Sequence, residues 1–105
     1  MSLSLKTTDF VAIDKVIHER ARLGVMSVLV AAGELGFVEL KSHLGMTDGN
    51  LSVHLRILEE AGYVAIEKGI VGRKPRTTVR ITRGGRAAFK GYIDVLERIV
   101  RKVRG

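Results

Sequence analysis

The chain has 105 residues, 46% of them hydrophobic and 28% charged, a composition that folds around an apolar core rather than staying disordered. Lys and Arg number 18 against 11 Asp and Glu, giving a net charge of +7 and a pI near 10.3. That excess favours polyanionic partners, nucleic acid before an anionic membrane surface, while the absence of cysteine excludes disulfides, thiolate metal sites and thiol redox sensing.

One domain spanning 1–105 is expected from this length. There is no uninterrupted apolar run of about 18 residues, so no membrane span is expected. The opening MSLSLKTTDF has no basic segment leading into an apolar one, so no secretory signal is expected and the cytoplasm is the expected location. Residues 1–8 read as a loose tail. From Asp9 to Val30, Phe10, Ile13, Val16, Ile17, Leu23, Met26 and Leu29 form a helical stripe, one helix or two. Arg20 and Arg22 interrupt it, and Gly24 weakens it. The stripe is wider than one core needs, which leaves part of it for a partner subunit. Gly33–Gly36 reads as a connector. Phe37 reads equally well as part of a one- or two-residue strand or as an apolar staple ahead of the next helix.

Phe37–Gly62, FVELKSHLGMTDGNLSVHLRILEEAG, reads as two short helices joined by a tight turn. Val38, Leu40 and Leu44 supply the apolar positions of the first, and Gly45 ends it. Thr47 or Asp48 can accept a backbone N–H at the start of the second. Leu51, Leu55 and Leu58 then form one buried stripe, and Gly49, Ser52, Val53 and Arg56 lie opposite, with Glu60 at the far end. The outward face is thus small, hydroxylated and cationic near its start, suited to close approach to a polyanion.

Gly62 stops that helix. Tyr63–Lys68 alternates as a strand with Val64 and Ile66 inward, and Arg76–Ile81 alternates again, with Thr77, Val79 and Ile81 opposite Arg76, Thr78 and Arg80. Gly69–Pro75 is expected as a seven-residue hairpin tip. From Lys68 to Lys90 there are eight basic residues and no acidic one, a focused charge that implies a docking surface. Thr82 is a plausible cap for a last helix reaching about Arg104, despite Gly84 and Gly85 in its first turn. Along it run Phe89, Tyr92 or Ile93, Leu96, Ile99 or Val100, and Val103, a coiled-coil-like seam. Its own domain, a twin copy or a membrane surface could cover that seam; the twin copy is the preferred reading.

The segment TDGNLSVHLRILEEAGYV followed by VGRKPRTTVRITRGGRAAF resembles the winged-helix DNA-binding domains of small MarR/ArsR-type transcriptional regulators. The match is carried by Leu51, Ser52, His54-Leu55, Leu58, the Glu59–Val64 run, the basic loop, and Ile81-Thr82 with Gly85, and it extends over roughly residues 9–92. It implies an α+β, mainly helical fold: a winged helix-turn-helix over 9–81 with a two-stranded β-hairpin wing, and a C-terminal dimerisation helix over 82–104. In similar domains the strand near Phe37 pairs with the wing, and the position of His54 touches DNA or supports residues that do. Double-stranded DNA is the implied partner, read by a homodimer.

Arg56 is the first candidate for base contact, since arginine can donate bidentately to guanine; a phosphate contact or an ion pair with Glu60 is the plainer alternative. Ser52 can bond a phosphate or base edge, or serve as an ordinary exposed serine, and Val53 shares its face. Thr47 and Asn50 could hold a phosphate at the helix start, or merely cap it. His54 could instead be a partly buried structural histidine. Arg73, Lys74 and Arg76 are the candidate wing contacts to the minor groove or to phosphates. His18, His43 and His54 are not at metal-ligand spacing, no catalytic triad order is recognisable, and the Gly84-Gly85 pair lacks the GK[ST] of a phosphate loop. No enzyme activity, metal or cofactor is therefore expected, and no effector is legible. The reading is a cytoplasmic dimeric regulator, most simply a repressor that blocks polymerase. A protein–protein assembly module is the alternative, and RNA or anionic-membrane binding a third use of the same charge.

Overall fold

The computed structural model describes residues 3–105. In chain order the elements are α1 (Thr7–Val11), α2 (Arg20–Ala32), β1 (Glu34–Gly36), α3 (Phe37–Leu44), α4 (Asp48–Glu60), β2 (Val64–Val71), β3 (Lys74–Ile81) and α5 (Arg83–Arg104). The three strands form an antiparallel sheet in the order β1-β3-β2. This is the winged-helix arrangement that the resemblance implies.

Local chemistry sets each boundary. The first helical stretch is two helices, and the break falls before Gly24, at residues 12–19. There Asp14 Oδ1 accepts from the backbone N–H groups of Val16 (2.8 Å) and Ile17 (3.1 Å), turning the chain out of helix. Glu19 then caps α2 by accepting from Arg22 N. Gly24 lies inside α2, where a Cβ would sit 3.5 Å from Leu44 Cδ2, an ordinary contact with α3. Of the tail expected over 1–8, the first two positions lie outside the described residues, and Thr7 and Thr8 already belong to α1.

Helices α3 and α4 both end in a double-bonded glycine cap. Gly45 N–H bonds Ser42 O and Met46 N–H bonds Lys41 O; Gly62 N–H bonds Glu59 O and Tyr63 N–H bonds Leu58 O. Gly45 and Gly62 sit at φ 63° and 81°, where a side chain would be strained. Thr47, rather than Asp48, caps α4, its hydroxyl accepting from Asn50 N at 3.2 Å. Asp48 instead pairs with Lys41 across the turn at 2.7 Å.

Two expectations are corrected in this region. The short strand is Glu34-Leu35-Gly36, within the stretch read as a connector, and Phe37 is the first residue of α3. Leu35 faces Val79 in the ladder, so a three-residue strand too short to show periodicity is defined by its partner β3. Val38 is not a core position: it is 68% exposed, and Leu40 carries the buried contact of α3.

The hairpin is also longer than expected. β2 and β3 stay paired through Val71↔Lys74, so the turn is the two residues Gly72-Arg73, and Pro75 lies within β3 opposite Ile70. Both turn residues have positive φ (54° and 71°), the requirement of a tight two-residue hairpin turn.

One contiguous apolar core unites these pieces. Val25, Met26 and Leu29 of α2, Leu40 of α3, and Leu51, Leu55 and Leu58 of α4 meet Val64, Val79 and Ile81 of the sheet. Ile17 from the 12–19 segment and Tyr92 from α5 complete it. Helix α5 starts as expected from Thr82, whose hydroxyl accepts from Gly85 N at 2.9 Å. At 22 residues it is about 33 Å long, and its far end is tied back to α1 by Lys102 Nζ bonding Asp9 Oδ1 at 2.9 Å.

Candidate nucleic-acid interface

With Leu51, Leu55 and Leu58 buried, α4 has one orientation left for its other face. Gly49, Ser52, Val53 and Arg56 are exposed, Val53 by 57%. Among the described residues Arg56 has no carboxylate within ion-pair distance, so the pairing with Glu60 is not made. A charged donor is thus left projecting into solvent beside short side chains. Between this face and the wing runs an open groove floored by Phe37, Leu55 and Ile66 and edged by Ser52, Arg56 and Lys68. Lys68 was not among the sequence candidates; only the hairpin register, Lys68↔Thr77, brings it level with Arg56 across the groove.

Nearer the start of α4, the Thr47 hydroxyl oxygen is engaged in capping, and Asn50 is exposed. His54 sits at the border between the two faces. Arg22 Nη1 lies 3.1 Å from His54 Nδ1, and arginine has no acceptor, so Nδ1 accepts and the ring proton lies on Nε2. Arg22 also donates from Nε to Val16 O. Glu19 Oε1 is 3.6 Å from the same ring nitrogen and is held below the usual carboxylate range, chiefly by the backbone N–H groups of Arg22 and Ala21. His54 is therefore part of a structural network, whatever else its Nε2–H reaches.

In the wing, Arg73 and Lys74 stand at the tip with no ion pair among the described residues. Arg76 does not join them. It lies opposite Gly69, down the ladder, and bonds Glu39 of α3 at 2.6 Å. Arg80 likewise bonds Glu67 at 2.8 Å. Within the acid-free run from Lys68 to Lys90, Arg76, Arg80 and Lys90 are paired with carboxylates from outside it, so of the three candidate wing cations only Arg73 and Lys74 lack a carboxylate partner among the described residues. Ile70 and Val71 are 77% and 62% exposed, because the ribbon projects beyond the core and both its faces are bare.

On α5, the residues expected at a subunit seam divide. Tyr92 is 2% exposed inside the domain's own core, its hydroxyl 2.8 Å from His18 Nδ1, and Ile93, the other alternative at that turn, is half-buried and packs in part against the same core. Val95, which the stripe omitted, is also buried. Phe89 and Leu96 pack partly against the core and Ile99 is half-buried, whereas Val100 and Val103 are 43% and 67% exposed. Ile93, Leu96 and Val100 line a shallow apolar groove flanked by Glu97 and Arg101. Among the described residues, no helix is long and apolar enough to cross a membrane.

Residues 21–100 match the family described as winged helix DNA-binding domain. An uncharacterised protein of Methanocaldococcus jannaschii is 38% identical over 79 residues, covering 75% of this chain and 86% of that one. The structure of the transcriptional regulator homologue protein from Pyrococcus horikoshii OT3 superposes with a TM-score of 0.85 at 29% identity, covering 92% and 98% of the two chains. The Mycobacterium tuberculosis transcriptional regulator MosR, solved with DNA, shares the fold at a TM-score of 0.67 and 18% identity, over 91% of this chain and 68% of that one. The chain belongs to the winged-helix DNA-binding domain family, and solved structures that share its fold include transcriptional regulators, one of them of the ArsR family.

Proposed function

We propose that this chain is a single-domain, sequence-specific duplex-DNA regulator that acts as a homodimer and represses by occupying a promoter. The observation that carries the reading is Arg56, without an ion pair among the described residues, on the outward face of α4 beside Ser52 and Val53, with the wing-tip cations Arg73 and Lys74, likewise unpaired among those residues, beyond the groove. Inserted in a major groove, Arg56 would donate to a guanine edge, and Ser52 and Asn50 to phosphate or base. The wing cations would lie along the flanking minor groove or its phosphates. The DNA-bound state of MosR supports the same use of the fold here.

A symmetric pair of recognition helices needs a symmetric contact, and the α5 groove at Ile93, Leu96 and Val100 offers an apolar one. Selection of duplexes from a random pool tests the reading: enrichment of a two-fold symmetric site is expected. A pool that stays unselected would leave the second reading, an assembly module docking through the bare aliphatics Val38, Ile70 and Val71.

A further inference from the structure

We propose that Ala12–Glu19, the segment between α1 and α2, fixes the angle of α4 relative to α5, with Asp14 as its positioning residue. The proposal rests on the dimeric duplex-binding reading for its consequence, though not for its geometry. Side-chain ties leave this segment toward both helices. Asp14 Oδ2 accepts from the Tyr63 hydroxyl at 2.5 Å, just past the glycine cap that ends α4. The segment's end reaches the middle of α4, where Arg22, bonded to Val16 O, meets His54. His18 reaches α5 at Tyr92. Ile17, fully buried, anchors the segment in the core between them.

Asp14 is suited to hold an angle because both its oxygens are used. Oδ1 takes the two N–H groups of the turn, and Oδ2 takes the phenol, so the carboxylate cannot swing without breaking a bond. Apolar packing of Leu51, Leu55 and Leu58 decides which face of α4 is buried, but it is non-directional and resists small changes in the helix's angle weakly. Hydrogen bonds at the middle and at the end of α4 are directional and resist them. In a dimer, the relation of α4 to α5 becomes the separation of the two recognition helices, which must match half-sites about 34 Å apart. The segment thereby sets tolerance to half-site spacing.

Asp14→Asn keeps an oxygen for the turn and places an NH₂ group against the phenol, while Tyr63→Phe removes only the hydroxyl; both leave the apolar core intact. The chain has no cysteine, so spin labels can be placed at Glu60→Cys on α4, away from the DNA-contact candidates, and Lys90→Cys on α5, diluted with unlabelled protein. The label-to-label distance distribution is expected to be narrow in the wild type and clearly broader in either variant. On selected operators with the half-site separation altered by one or two base pairs, the penalty for wrong spacing should shrink roughly three- to tenfold in either variant, as one lost hydrogen bond allows. The double variant should add little, since Asp14→Asn replaces the charge-assisted bond by a weaker one from NH₂ to the phenol oxygen and Tyr63→Phe removes the same bond. Distributions as narrow in both variants as in the wild type overturn the proposal, with or without DNA. Broadened distributions in a protein that binds no duplex support the clamp and overturn the function it was read to serve.

Discussion

Gly85, in the first turn of α5, lies so close under the Tyr63 carbonyl that a Cβ there would come within 2.1 Å of the oxygen. The two are held by further bonds: Thr82 N–H donates to Tyr63 O at 3.0 Å, and the Thr82 hydroxyl donates to Gly62 O at 2.6 Å. The end of the recognition helix is thus packed directly onto the start of α5. Gly85→Ala should destabilise the fold by on the order of 3 kcal/mol, because backbone cannot yield to the methyl group as a side chain could. Gly84→Ala meets only ordinary contact at 3.5 Å and should be neutral or stabilising by up to about 1 kcal/mol. Denaturant midpoints of the two variants, moving in opposite directions, check this.

The Asp14 carboxylate to which Tyr63 donates, with burial adding, pushes its phenol up to about 12, and burial raises Tyr92 as well. A group raised in the folded state contributes stability that is complete below its unfolded value, near 10, and is lost as pH climbs toward the folded value. Stability should therefore hold to about pH 10 and decline between about 10 and 12. Tyrosinate absorbance in the folded chain should lag that of the chain in denaturant. In Tyr63→Phe the decline should be shallower, and an unchanged decline would mean that the Asp14 bond does not persist in solution.

The wing's charge is concentrated in fewer residues than its sequence suggests. Arg73 and Lys74 should each lower the salt slope of duplex binding by about 1 when replaced by Ala, losing affinity alike on all sequences. Arg76→Ala should lower it less, because Glu39 already neutralises that guanidinium. Arg73 also occupies φ 71°, a conformation costly to a side chain, so Arg73→Gly should raise thermal stability while weakening DNA binding. Salt-dependent binding curves for the three alanine variants, and melting and binding curves for Arg73→Gly, check both claims.

What could be read from the chain, and what could not, follows from the range of the forces involved. The Leu51, Leu55 and Leu58 stripe, the stops at Gly45 and Gly62 and the caps at Thr47 and Thr82 are written locally, within one or two helical turns, and all are found as expected. β1 was not legible because three residues have no period; their state is decided by β3, over forty positions away. The length of the wing was obscured by Gly69 and Pro75, which look like turn residues but are accommodated on exposed ladder ends. Arg76 with Glu39, Asp14 with Tyr63 and Arg22 with His54 join residues 32 to 49 positions apart. No local pattern announces such pairs. An arginine breaking an apolar stripe, as Arg22 does, was the one available signal that a buried partner had to exist.

The α5 seam allows a cleaner test of assembly than the stripe as a whole would. Leu96 packs against the domain's own core, so a carboxylate there would confuse unfolding with dissociation. Val100 is exposed and lies outside that core. Val100→Asp should leave the melting of the monomer fold nearly unchanged, within about 0.5 kcal/mol, while shifting sedimentation toward monomer and weakening operator binding. A variant that stays dimeric would place the subunit contact elsewhere.

Reading of sequence should reside in Arg56. The buried leucines fix the roll of α4, and the short side chains at 49, 52 and 53 let its backbone approach base edges, leaving Arg56 as the long donor on that face. Arg56→Ala should cost about 1–3 kcal/mol on a selected operator and relax preference at one base pair per half-site. Stability should stay within about 0.5 kcal/mol, since the side chain is exposed and unpaired among the described residues. Arg56→Lys separates geometry from charge: a lysine keeps the phosphate attraction but loses the planar fork, so it should restore binding to a scrambled site more than to the selected one. Binding curves on both duplexes decide. Equal losses on both for Arg56→Ala would make it a phosphate contact, and no loss on either would favour a protein-docking use of the fold.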